Sequence, residues 1–125
     1  MTQLFLIGLG SGLGGISRYL VSNSVYNLIG KNFPYGTLAV NIIGSFVAGF
    51  LSTFLLERVG AFSVPLRALL IIGFLGGFTT FSSFSVETFN LFESGEIVRA
   101  ILNIIISLFV CIILTGVGAL LARQL

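Results

Sequence analysis

Long uncharged apolar runs alternate with short polar turns along the whole chain. The runs cover roughly 4–29, 36–56, 66–92 and 97–122, and Arg18 is the one charge inside the first. Between them fall Lys31, Asn32 and Pro34, then Glu57, Arg58, Gly60 and Pro65, then Glu93, Ser94, Gly95 and Glu96. A helix needs about 20 apolar residues to cross a hydrocarbon core of about 30 Å, so the pattern predicts four transmembrane helices and an all-α integral membrane fold. Very little of the 125-residue chain lies outside these spans. We therefore expect one domain, 1–125, with no soluble portion and no linker longer than a turn. The first run lacks a positive leading region, exceeds the length of a signal core and shows no clear cleavage site, so it reads as a retained span.

The third run departs from a plain lipid-facing helix. Nineteen uncharged residues separate Arg67 from Glu87, but their middle reads Gly76-Gly77-Phe78-Thr79-Thr80-Phe81-Ser82-Ser83-Phe84-Ser85. Paired glycines permit unusual backbone and the two threonines are β-branched, so we expect a helix broken near 76–80. Backbone freed at membrane depth is tolerated only where it is buried in protein or lines a wet cavity, and unwound carbonyls there are natural cation ligands. Phe78, Phe81 and Phe84 follow at i, i+3 and i+6, with Ser82 and Ser85 at i and i+3 on an adjoining face. Aromatic edges would then lie beside hydroxyl donors.

Polar positions in the other spans form stripes. In the first, Gly8, Gly10, Ser11, Gly12, Gly14, Gly15 and Ser17 allow close helix approach, with Gly8 and Gly12 as a GxxxG pair. Arg18 is costly at that depth, and either a water-filled vestibule or snorkelling to the surface would accommodate it. In the second, Asn41, Ser45, Gly49 and Ser52 share one face, which should meet protein. Asn41 is either an interhelical hydrogen-bonding group or a donor beside a permeating anion. In the fourth, Asn103, Ser107, Cys111 and Thr115 recur every four residues. Glu87 stands at one end of the Phe/Ser stripe, as a polar helix end or a pore mouth.

Composition narrows the function classes. With 56% hydrophobic and only 8% charged residues, the chain has about a third of the charge of a soluble domain. No His, one Cys and four carboxylates leave no material for the usual metal, triad or acid/base sets, so enzyme catalysis is not expected. Cys111 alone reads as a small packing residue. The net charge of +2 is dispersed over the turns, which gives no nucleic-acid footprint. With four spans, Arg18, Lys31 and Arg99 fall on one side and Arg58, Arg67 and Arg123 on the other. Equal counts remove the positive-inside bias and predict dual topology, with copies pairing as an antiparallel homodimer.

The third-span segment Gly76-Gly77-Phe78-Thr79-Thr80-Phe81-Ser82-Ser83-Phe84-Ser85, together with Gly36-Thr37…Asn41 and Gly14-Gly15…Arg18-Tyr19, resembles the Fluc fluoride channel family, also called CrcB. The resemblance covers essentially the whole chain. It implies four helices with a broken third, an antiparallel dimer with two pores, and a structural sodium ion (Na+) held at the dimer interface by the backbone carbonyls of Gly76 and Thr79. It further implies a phenylalanine box at Phe81 and Phe84, a pore asparagine at Asn41, and a hydroxyl track of Ser82, Ser85 and Thr115 ending at Glu87. Arg18 corresponds to an arginine in a wet vestibule. Ser107 and Asn103 are assigned by periodicity alone, and Ser83 stands where many members carry Thr.

The function so implied is passive export of cytoplasmic fluoride through the cell (inner) membrane, relieving fluoride toxicity. A small strongly hydrated anion needs many donors and no deep trap, which phenyl edges, hydroxyls and an amide supply. Two other readings share the outline. A small multidrug-type proton-coupled exporter should carry a carboxylate deep in its first helix, where this chain has Arg18. A non-transporting membrane assembly subunit would use its small-residue faces for packing only.

Overall fold

Apolar runs of this length must satisfy their backbone internally, and helix is the way a single segment does so. The computed structural model describes residues 1–125, apart from the side chain of Phe62. Helix α1 spans Thr2–Ile29 and α2 spans Tyr35–Phe54. A π-wound turn, Leu55–Val59, and a 3-10 turn, Gly60–Phe62, follow. Helix α3, residues 63–78, begins with an α-turn at Ser63–Leu66, is π-wound over Arg67–Leu75 and closes with an α-turn at Gly76–Phe78. Thr79 and Thr80 are extended, and α4 resumes at Phe81–Glu93. Helix α5 spans Ile97–Gln124. Four stretches are long and apolar enough to cross a membrane: Thr2–Ile29, Tyr35–Val59, Ser63–Glu93 and Ile97–Gln124. The expected four-helix fold and the interruption in the third span are both present.

Glycine sets how the helices cross. Helix α1 lies against α3, and α2 against α5. A Cβ at Gly10 would land on the Leu69 carbonyl oxygen, one at Gly14 on the Phe74 carbonyl, and one at Gly77 on the Ser11 carbonyl. The second crossing is built likewise, with Gly49 against the Thr115 carbonyl and Gly118 against that of Phe46. These backbones touch. In α1 the close-approach pair is thus Gly10 and Gly14, not Gly8 and Gly12, at which an added Cβ would meet no atom of this chain within 4 Å. Both pairs have the same four-residue spacing, but positions two apart point about 200° from each other around a helix. Spacing alone could not choose the face.

The buried core is narrow, running through Val40, Leu55, Ala68, Leu75, Phe78, Phe84, Ala100 and Ala122. Most large apolar residues of α5, among them Ile105, Phe109 and Ile112, are exposed on the isolated chain, as suits a surface bathed in hydrocarbon. Helix α4 is the least enclosed, with α5 as its principal neighbour and a smaller contact to α2. Replacing Gly14 by Leu should destabilise the fold by about 1–3 kcal/mol through overpacking. Thermal unfolding in detergent measures it, and Gly116→Ala, at a site with no neighbour within 4 Å, should leave the midpoint unchanged.

Candidate functional site

The break begins where the α-helical ladder ends. Thr79 N–H makes the last i−4 bond, to the Leu75 carbonyl at 2.9 Å, and the Thr79 hydroxyl donates to the same oxygen at 2.9 Å. Thr80 N–H instead donates to Asn41 Oδ1 at 2.8 Å, while Asn41 Nδ2 donates to the Thr80 carbonyl at 3.0 Å. One side-chain amide from α2 therefore serves both backbone groups of the residue at the break. Thr80 also caps α4, its Oγ1 accepting from Ser83 N–H at 3.2 Å and donating to Ser83 Oγ at 3.1 Å. Gly44, on the same side of α2 as Asn41, leaves the space that the Thr79 methyl group fills.

Four carbonyls, those of Gly76, Gly77, Phe78 and Thr79, lose their helical partners at the break. In a continuous helix, Thr80 N–H would serve Gly76 and Ser83 N–H would serve Thr79, but these donors are taken by Asn41 and by the Thr80 hydroxyl. Freed backbone oxygens are the donor type that hard cations prefer. Among the described residues, no cluster of three or more His, Cys, Asp or Glu side chains could hold a metal.

Beside the break lies a cavity of about 230 Å³, walled by Asn41, Ser45, Phe81, Phe84, Ser107 and Cys111 among others. The Phe81 and Phe84 rings are 5.3 Å apart and tilted at 45°. Phe84 is 9% exposed, whereas Phe81 is 72% exposed on this chain. Phe78 leaves the expected series. It ends α3, is buried and stacks on Phe74 at 5.8 Å, because the two extended residues after it break the helical register on which the i, i+3, i+6 stripe depended. Cys111, expected as a packing residue, stands in the cavity wall.

A second cavity, of about 380 Å³, is lined by Arg18, Tyr26, Thr37, Thr80, Ser83 and Glu87 among others. Thr37 Oγ1 donates to Glu87 Oε1 at 2.8 Å, and Glu87 Oε2 is buried with no hydrogen-bond partner. Glu87 also borders a third cavity, of about 430 Å³, which reaches Lys31, Asn23 and Asn90. Among the described residues the ion pairs are Arg99–Glu96 and Arg123–Glu57, both at 3.5 Å, and Arg18 belongs to neither. Thr80 and Ser83 face the Arg18 cavity, while Thr80 also borders the phenylalanine cavity, so the break separates the two spaces.

The expected hydroxyl residues do not converge within one chain. Ser82 lines a separate, open surface cavity with Ser83, Val86 and Glu87. Ser85 Oγ donates back to the Phe81 carbonyl at 2.9 Å, and Thr115 Oγ1 reaches the carbonyls of Cys111 at 2.9 Å and Ser45 at 3.2 Å. Ser107 borders the phenylalanine cavity and donates to Asn103 Oδ1 at 3.4 Å. Reading the chain alone gave Thr37, Thr80 and Thr88 no hydrogen-bonding role in the site. Thr37 was findable, since it lies four residues before Asn41 on one face of α2. Thr88 was not, because its partner comes from another helix. The assembled groups offer N–H and O–H donors and phenyl edges to a small anion, with a guanidinium in the adjoining cavity.

The family described as CrcB-like protein, Camphor Resistance (CrcB), matches residues 5–119. A protein of Coxiella burnetii (strain Dugway 5J108-111) named fluoride-specific ion channel FluC is 54% identical over 123 residues, 98% of this chain and 99% of that one. A protein of the same name from Geobacter sulfurreducens is 48% identical over the full length of both chains. Another from Methylococcus capsulatus is 47% identical over 98% of this chain and 54% of its own.

Truncating Asn41 to Ala leaves the Thr80 N–H without a partner and removes the second bond to its carbonyl. The loss should be about 1–3 kcal/mol, read as a lower unfolding midpoint together with faster amide exchange at Thr80. Ser45→Ala, whose side chain makes no comparable bond across the break, should change neither.

Proposed function

The chain belongs to the CrcB family, and from that premise we propose that it is a fluoride-specific channel carrying the anion passively down its electrochemical gradient. The cavity formed by Asn41, Phe81, Phe84 and Ser107 beside the break is the observation that carries this reading. Fluoride must exchange its hydration for fixed donors without being trapped. Phenyl edges present the positive part of the ring quadrupole, while hydroxyl and amide hydrogens supply directed donors. Arg18, in the cavity on the other side of the break, raises the anion's local concentration before it enters. Glu87 stands where the Arg18 and Lys31 cavities adjoin, at the mouth of the path. Ser82, Ser85 and Thr115 complete the hydroxyl track once the hydroxyls of Ser85 and Thr115 turn from backbone carbonyls to the ion. In a cell the direction is export through the inner membrane, which relieves fluoride toxicity.

The working unit in this proposal is an antiparallel homodimer with two pores. Its support is charge and exposure. Arg99 donates to the Asn32 carbonyl at 3.3 Å and Arg123 pairs with Glu57, so the polar turns gather at two ends of the bundle with three cations assigned to each. A pore wall that includes a residue as exposed as Phe81 needs a second surface to close it. The carbonyls of Gly76 and Thr79, deprived of helical donors, fit a sodium ion at the interface of the two copies. Such an ion supplies fixed positive charge beside the path.

A proton-coupled exporter is disfavoured because Arg18 occupies the depth of α1 where that class needs a carboxylate. An assembly subunit predicts no flux. Proteoliposomes loaded with fluoride or with chloride, read with electrodes specific for each ion, separate these readings. We expect rapid fluoride loss with chloride retained, and at least about tenfold slower fluoride loss in Phe81→Ile and Phe84→Ile without loss of the dimer. No fluoride loss from folded protein would overturn the proposal.

A further inference from the structure

Helix α4 carries the aromatic wall, yet it is the helix least enclosed by the rest of the chain. Among the described residues, two side-chain hydrogen bonds tie its body to other helices: Thr37 to Glu87, from α2, and Asn103 to Thr88, from α5. The second is buried, with Asn103 2% exposed and Thr88 6% exposed. It does not end at Thr88. Thr88 Oγ1 donates to the Phe84 carbonyl at 2.7 Å and accepts from Asn103 Nδ2 at 2.8 Å. A hydroxyl has one hydrogen, so donating it to Phe84 requires that Asn103 turn its NH₂ toward Thr88. The amide oxygen is then left facing along α5, where Ser107 Oγ donates to it at 3.4 Å. The chain of bonds thus runs from one wall of the phenylalanine cavity, Phe84, to another, Ser107, through two residues that line neither.

We propose that Asn103 is a positioning residue of the anion path, setting Phe84 through Thr88 and the Ser107 hydroxyl directly. The proposal rests on the channel reading above. Packing alone does not require these groups, since an apolar pair of the same shape would fill the same space without polar atoms. A hydrogen bond directed through Thr88 holds α4 at one rotation about its axis, which fixes where the Phe84 edge points. At Ser107 the effect differs. Its hydroxyl rests on Asn103 through a long, weak contact, so an anion in the cavity can draw the hydrogen away at little cost. Asn103 accordingly keeps the donor oriented but available.

The test uses full-length protein in proteoliposomes, with fluoride efflux as the readout and gel-filtration elution as the check on assembly. Thr88→Val removes the hydroxyl, and Asn103→Leu keeps the branched shape of the amide without its polar atoms. Each should slow fluoride efflux about tenfold, while Thr88→Ser, which retains the hydroxyl, should stay within about twofold of wild type. Ser107→Ala should slow efflux in the wild-type background but add nothing to Asn103→Leu, a dependence that a merely structural role would not produce. Wild-type rates in Thr88→Val and Asn103→Leu would overturn the inference. So would a Thr88→Ser rate as low as that of Thr88→Val, a Ser107→Ala that is silent in wild type or equally slowing in both backgrounds, or failure of both Thr88→Val and Asn103→Leu to assemble. No fluoride efflux from wild type would instead refute the channel reading, and the inference would fall with it.

Discussion

The pairing of Asn41 with Thr80 is the contact on which the interrupted span depends. A peptide group freed inside a bilayer costs several kcal/mol when unpaired, and α-helix or closed sheet ordinarily prevents this. Here one amide replaces the helical partner of the Thr80 N–H and adds a second bond to the Thr80 carbonyl, which already opens the ladder of α4. The remainder of the break follows from that replacement. Thr80 is held extended, its hydroxyl becomes the cap of α4, and the carbonyls of Gly76 and Thr79 are released from the ladder. The asparagine expected as a pore donor is thus also the brace of the cavity wall beside the break. One of its amide hydrogens is committed to the Thr80 carbonyl and one is left for the cavity.

Bringing α2 close enough for that contact is the work of glycine elsewhere. Gly44 admits the Thr79 methyl group, while Gly49 and Gly118 let α2 and α5 meet at backbone distance. On the other side, Gly10 and Gly14 let α1 lie against the π-wound part of α3. In a bilayer there is little hydrophobic gain from bringing helices together, so close van der Waals contact between small residues has to supply the association. Two tight crossings therefore leave α4 comparatively open, joined to its surroundings by polar contacts instead. That division suits a helix whose exposed face carries Phe81, Ser82 and Ser85.

Electrostatics acts on this frame from separate cavities. Arg18 and Glu87 border one space, Lys31 and Glu87 another, and the aromatic cavity on the far side of the break contains no charged side chain in its wall. Under the proposed channel function, opposite charges at the mouth with neutral donors inside would attract an anion without binding it too firmly to leave. The unpartnered Oε2 of Glu87 lies at the junction of these spaces.

The four spans, the all-helical class and the interruption at Gly76–Thr80 were legible in the chain because they depend on run length, absent charge and local backbone preference. The family was legible for a related reason, since the third-span segment carries an unusual order of Gly, Thr, Phe and Ser. Equal spacing hid other features. Gly8/Gly12 and Gly10/Gly14 are indistinguishable until a neighbouring helix selects one face, and Phe78 looks continuous with Phe81 and Phe84 until two extended residues shift the register. Asn41 left a choice between brace and donor that its own helix could not settle, because the partner lies 39 positions away. Thr88 and Asn103, Thr37 and Glu87, and Cys111 in the cavity wall were likewise decided only when separate helices met. Local periodicity determines which residues share a helix face, but only packing determines what that face meets.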